Sequence, residues 1–152
     1  MSYLSPTLTL LVGAVKKATA SLDRDFNEIE KLQSSVRGYQ NFVSRSFERV
    51  AQTLKGELSR VRPDAVFVDG KPPLSRGCCF MVNPIDGMGN FVRGIPVFAT
   101  TVAYCENGEV KASVVYNRAS DELYFAEKGS GAYKEGFRNH ERLRASAVTD
   151  GT

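Results

Sequence analysis

With 152 residues, 42% hydrophobic and 24% charged, the chain has material for one cored domain and is too short for two of ordinary size. Its 20 basic and 17 acidic residues leave a net charge of +3 with no run of like charges, so direct nucleic-acid binding is not indicated. The opening MSYLSPTLTLLVGAVKK has no basic leader region, and its apolar part is shorter than a bilayer-spanning helix, so no membrane association is expected.

Ser5-Pro6-Thr7 offers an N-cap followed by proline at the first helical position, and Leu8, Leu11, Val12, Val15, Ala18 and Leu22 recur at helical spacing. This predicts an amphipathic helix ending near Asp25. Ile29 to Val43 is short and mixed in pattern, with Gly38 as a breaker, and predicts a loose hairpin or an extended connection. Ser44 then precedes Phe47, Val50, Ala51, Leu54, Leu58 and Val61, a second helical stripe that Pro63 closes. Ala65 to Val68 is a short strand candidate, followed by the loop Gly70-Lys71-Pro72-Pro73.

Beyond Pro96, runs at Phe98–Cys105 and Val110–Tyr116 flank Glu106-Asn107-Gly108-Glu109, a strong hairpin signal because Asn and Gly tolerate positive φ. Leu123–Ala126 and Ala132–Lys134 follow after short turns, so four runs make an antiparallel meander. Two helices ahead of a mainly antiparallel sheet define an α+β domain over residues 1–152. Cys78, Cys79 and Cys105 lack C-x-x-C spacing, and the adjacent pair must face opposite sides of a strand. They read as small buried apolar residues in a reducing, cytoplasmic setting. His140 reads as solvated, and Phe91, Phe98 and Tyr104 as packing residues.

The chain is organised around CCFMVNPIDGMGNFVRGIP, Cys78 to Pro96. A buried strand stops at Asn83-Pro84, Asp86-Gly87 follows, and glycines open a short helix. Oxygen ligands and free backbone N–H groups in one small space suit a hard cation and a phosphate. A strand, turn and short helix without a ligand fits the same pattern.

NPIDGMGNFVRGIP, together with Asp121-Glu122-Leu123-Tyr124, Glu127-Lys128-Gly129-Ser130-Gly131-Ala132 and Leu143-Arg144-Ala145-Ser146, resembles in order and spacing the inositol monophosphatase family. The likeness is to the bacterial extragenic-suppressor-type members. The resemblance runs from about Leu8 to Ser146 and implies the N-terminal half of that fold, a helix pair on a large antiparallel sheet. It also implies Mg²⁺-dependent hydrolysis of inositol monophosphate or a similar small phosphomonoester.

Carried over by position, the family's metal ligands are depleted here. The first Asp of its DPIDGT loop is Asn83, which cannot bridge two cations; the second is Asp86, and Ile85 keeps the backbone carbonyl ligand. The water-positioning Thr is Met88, a thioether with little affinity for a hard ion. The upstream Glu-Glu pair falls on Gly70-Lys71, with Asp69 one residue out of register; two further Asp positions fall on Asn41 and Phe47, while Arg37 keeps its basic character. The reading is a weak or empty Mg²⁺ site with lost or severely reduced catalysis. A remnant at Gly87, Met88 and Gly89 could take phosphate or sulfate weakly.

Family members carry a second half that this chain lacks, which leaves open a short degenerate protein or a piece of something longer. The competing function is a non-catalytic interaction module, since some bacterial members serve in ribosomal RNA transcription antitermination through the transcription machinery. Apolar residues at adjacent positions of Phe98–Tyr104 and Val114–Tyr116 imply a sheet covered on both faces. Two helices cover one face, so self-association as a homo-oligomer is expected.

Overall fold

The computed structural model describes residues 4–32, 36–68, 75–136 and 139–148, with backbone alone for 30–32 and 36–39. Three long helices, α1 (Pro6–Ala18), α2 (Leu22–Leu32) and α3 (Val36–Val61), precede and pack against a seven-stranded sheet. The strands are β1 (Val66–Phe67), β2 (Cys78–Asp86), β3 (Ala99–Glu106), β4 (Glu109–Asn117), β5 (Glu122–Glu127), β6 (Gly131–Glu135) and β7 (His140–Leu143), in that spatial order. A short helix α4 (Met88–Val92) interrupts the β2–β3 connection. Only the β1–β2 pair is parallel, so the domain is α+β with a mainly antiparallel sheet, as expected.

Helix α1 starts as its sequence dictates: the Ser5 hydroxyl accepts from the Leu8 N–H at 3.1 Å and Pro6 occupies the first turn. Leu8, Leu11, Val12, Val15 and Ala18 are all buried. The helix ends at Ala18 rather than near Asp25, where the Thr19 hydroxyl back-bonds to the Val15 carbonyl at 2.9 Å and the chain turns before restarting at Leu22. Asp23 and Asp25 lie in the first turn of α2, where the helix dipole favours carboxylates. Buried Asp25 accepts from Arg49 of α3 at 2.8 Å, tying the two helices together.

In place of the loose hairpin or extended connection expected over Ile29–Val43, the described residues of that stretch are the end of α2 and the first two turns of α3. Gly38 costs a helix interior about 1 kcal/mol relative to Ala. Burial of Ile29, Val43, Val50, Leu54 and Leu58 in one core outweighs that local preference. The helical layer therefore holds one more helix than the two anticipated.

The Asn107-Gly108 hairpin forms as predicted, with φ of 51° and 83° at the two turn residues. One core row crosses five strands in register, Val82–Val102–Val114–Phe125–Tyr133, and meets the helices. Phe91, Phe98 and Tyr104 are buried packing residues, as read from the sequence. Strand β7 was not anticipated, and His140 is not simply solvated: its ring meets Phe125 edge-on at 4.9 Å. Its neighbours are mostly charged, a common composition for an edge strand.

Candidate functional site

The loop that carries the candidate site is shaped by a β-bulge. Asn83 pairs with Thr101 and Asp86 with Ala99, so three steps along β2 match two along β3. Thr101 and Ala99 lie on one face, and their partners must share it. Asn83 and Asp86 are thereby brought to the face remote from the helices. Between them, Ile85 is buried in the core, and the Pro84 carbonyl accepts from the buried Thr100 hydroxyl at 2.8 Å.

Asn83 lines a cavity of about 600 Å³ with Phe47, Met81, Thr101, Ser113 and Val115. Asp86 is exposed and lines a neighbouring cleft of about 380 Å³ with Asn90, Asn117, Glu122 and Tyr124. Val115 borders both. Of the degenerate family positions, Phe47 lines the same cavity as Asn83. Asn41 lies instead in an exposed recess with Ser44, Arg45 and Glu48, and Arg37 falls within α3. Asp69, Gly70 and Lys71 lie outside the described residues.

Gly87 opens α4 in the left-handed region, with φ of 90°, and a Cβ there would stand 3.1 Å from the Val97 carbonyl oxygen. Only glycine satisfies both the backbone and the space. The Gly87 carbonyl accepts from the N–H groups of Asn90 and Phe91 at 2.9 and 3.0 Å. Met88 turns its side chain onto the main core, so no donor atom replaces the family's hydroxyl. The exposed Gly89 carbonyl accepts from Arg93 at 3.0 Å.

Residues outside the candidate ligand set hold this loop. Phe91 is fully buried against Phe98, ring to ring at 5.0 Å, and Phe26 of α2 reaches Phe98 at 5.4 Å. The Asn90 and Asn117 amides donate to the Val97 and Pro96 carbonyls at 2.8 and 3.3 Å, pinning the return segment. Ser120 first, then Tyr124 at 3.0 Å and Lys134 at 3.4 Å, engage the Glu122 carboxyl and hold it below its ordinary pKa. No local sequence signal reports the contacts that Phe26, Asn117 and Lys134 make from other elements.

Within the described part of the site, oxygen ligands for a hard cation are few. Asn83 is neutral, Met88 faces away, and Asp86 is the one carboxylate of the loop. Among the described residues, no three His, Cys, Asp or Glu side chains gather in a group that could hold a metal ion. Also among them, no helix is long and apolar enough to cross a membrane.

This helix layer on an antiparallel sheet, with a bulged strand leading into a glycine-opened helix, has clear relatives. The inositol monophosphatase family model matches residues 3–151, and the chain belongs to that family. It is 40% identical over 147 residues to an inositol-1-monophosphatase of Rhizobium meliloti, covering 94% of this chain and 54% of the relative. A Nus factor SuhB of Vibrio cholerae is 26% identical over 149 residues, covering 95% of this chain and 54% of the relative. The crystal structure of the extragenic suppressor protein suhB from Bartonella henselae matches with a TM-score of 0.77 and 34% identity, over 95% of this chain and 56% of that one. The chain spans about half the length of the curated relatives it matches.

Proposed function

We propose that this chain keeps the family's sheet and loop while its catalysis, Mg²⁺-dependent hydrolysis of inositol monophosphate or a similar phosphomonoester, is lost or severely reduced. The observation that carries this reading is Asn83, a neutral amide beside Asp86 on the face where the resemblance requires two carboxylates. One carboxylate supplies too little charge to hold Mg²⁺ alongside a phosphate group. The remnant of the site is the set of backbone N–H groups at Gly87, Met88 and Gly89, which can take phosphate or sulfate weakly without metal. The test is phosphate release from inositol 1-phosphate by the intact chain in millimolar Mg²⁺. Release at the buffer level is expected, and turnover abolished by Asp86→Ala would overturn the proposal.

A second reading is a cytoplasmic, non-catalytic interaction module, for example in ribosomal RNA transcription antitermination. It is favoured by the match to relatives named Nus factor SuhB along nearly the whole chain. The open sheet face supports it too, since the buried apolar residues of the helices join the core on the opposite side. That same face supports self-association. Co-purification with transcription proteins separates a partner role from simple oligomer formation.

A further inference from the structure

We propose that Cys79 and Cys105 form a latent redox pair, joined across β2 and β3 by a small-molecule disulfide oxidant when the edge strand β1 opens. The two residues stand directly opposite each other. The Asn107 N–H donates to the Gly77 carbonyl at 2.9 Å, which extends the ladder one rung and makes that rung a hydrogen-bonded pair. Antiparallel rungs alternate, so the Cys79–Cys105 rung is hydrogen-bonded as well. Cα atoms at such a rung lie about 5.5 Å apart, inside the roughly 4.4–6.8 Å span that disulfides use.

The side chains meet as well as the backbones: both cysteines are fully buried in one small cluster. Cys78 takes no part, because it faces the other side of the strand, where its Sγ accepts from the Tyr104 hydroxyl at 3.5 Å. Pairing is therefore restricted by geometry to Cys79 and Cys105.

The closed sheet keeps the pair reduced. Both thiols are fully buried with Val68 in a small cluster separate from the main core, bordered by Met81 and Ala103. Burial pushes Cys105 up to about 11, where it is protonated and unreactive. The cover is weak, however. Strand β1 has two residues, Val66 is 52% exposed, and Val68 adds one hydrogen bond to the Phe80 carbonyl at 2.9 Å. Short edge segments with few hydrogen bonds open at the lowest free energy in a fold.

Once uncovered, one cysteine loses its proton to solvent and attacks a sulfur of R–S–S–R, expelling R–S⁻ and forming a mixed disulfide. The second cysteine, deprotonated in turn, displaces the other R–S⁻, leaving one protein S–S bond and two R–SH after protonation. The cysteines are oxidised and the small disulfide is reduced. The bond ties β2 to β3 two alternations before Asn83, on the same face, and so fixes the strand that carries the candidate site.

The test exposes the native full chain to oxidised glutathione and counts free thiols after unfolding in denaturant. Of the three cysteines, one should remain free in the native sequence, and none in Cys78→Ser, with a mass lower by about 2 Da. Val68→Ala should speed the reaction at least several-fold. Both thiols surviving in Cys78→Ser, or a bridged peptide containing Cys78, would overturn the pair. An unchanged rate in Val68→Ala would overturn the gate.

Discussion

Asn83 and Asp86 present their side chains on the same face of the sheet, because the bulge between them sets three residues of β2 against two of β3. In a regular strand, side chains three apart would face opposite ways. The fold therefore still presents two polar residues together, and what differs from the family pattern is the charge of the first.

Asn83→Asp should restore a carboxylate pair without restoring turnover. Calorimetry is expected to show a gain in Mg²⁺ affinity, while phosphate release stays at the buffer level because Gly70-Lys71 still replaces the upstream acidic pair. Turnover in this single variant would show that the upstream positions are dispensable.

Gly87→Ala should destabilise the fold by about 1–3 kcal/mol, since alanine at a φ of 90° is strained and its Cβ approaches the Val97 carbonyl. Urea unfolding measures this. Amide shifts at Gly87 to Asn90 on phosphate titration should be present in the parent chain and reduced in the variant. No selective shift in the parent would reject the anion site.

Phe91→Ala removes a fully buried ring that packs against Phe98 and should cost about 3–5 kcal/mol. Domains of this kind have about 5–15 kcal/mol in total, so the loss is severe. Phe26→Ala, at a partly buried position, should cost less. Equal unfolding midpoints for parent and Phe91→Ala would mean that α4 does not rely on this ring cluster.

Tyr116 gives the alkaline limb of stability a specific origin. Burial first, and then its 2.6 Å hydrogen bond to Asp121, push the phenol up to about 12, against about 10 in an unfolded chain. The folded state holds this proton more tightly, so the contribution is complete below pH of about 10 and is lost as pH rises towards about 12. Tyr116→Phe should cost about 1–2 kcal/mol at neutral pH and flatten the decline in that window. Unfolding midpoints measured from neutral to alkaline pH distinguish the two.

The sheet face remote from the helices should drive self-association. Val115, 39% exposed, lies at its centre beside half-buried Thr101, Ala103 and Tyr124. Light scattering at low micromolar concentration is expected to show a dimer or larger species. A monomer that binds no hydrophobic dye would mean that other residues of the chain cover this face.

By itself the sequence determined what depends on neighbours along the chain. The Ser5-Pro6 helix start, the buried stripe of α1 and the Asn107-Gly108 hairpin are legible because capping, helical periodicity and positive φ are local properties. Family membership is legible for a related reason, since an ordered series of loop motifs survives in the residues themselves. Tertiary structure alone decided the rest. Gly38 and a mixed pattern argue locally against helix, and only burial against the sheet extends α3 through that stretch. The Phe26–Phe98–Phe91 cluster joins α2 to α4 and the segment after it, far along the chain. The bulge that aligns Asn83 with Asp86 exists only relative to β3, because register is a property of two strands and is written in neither one.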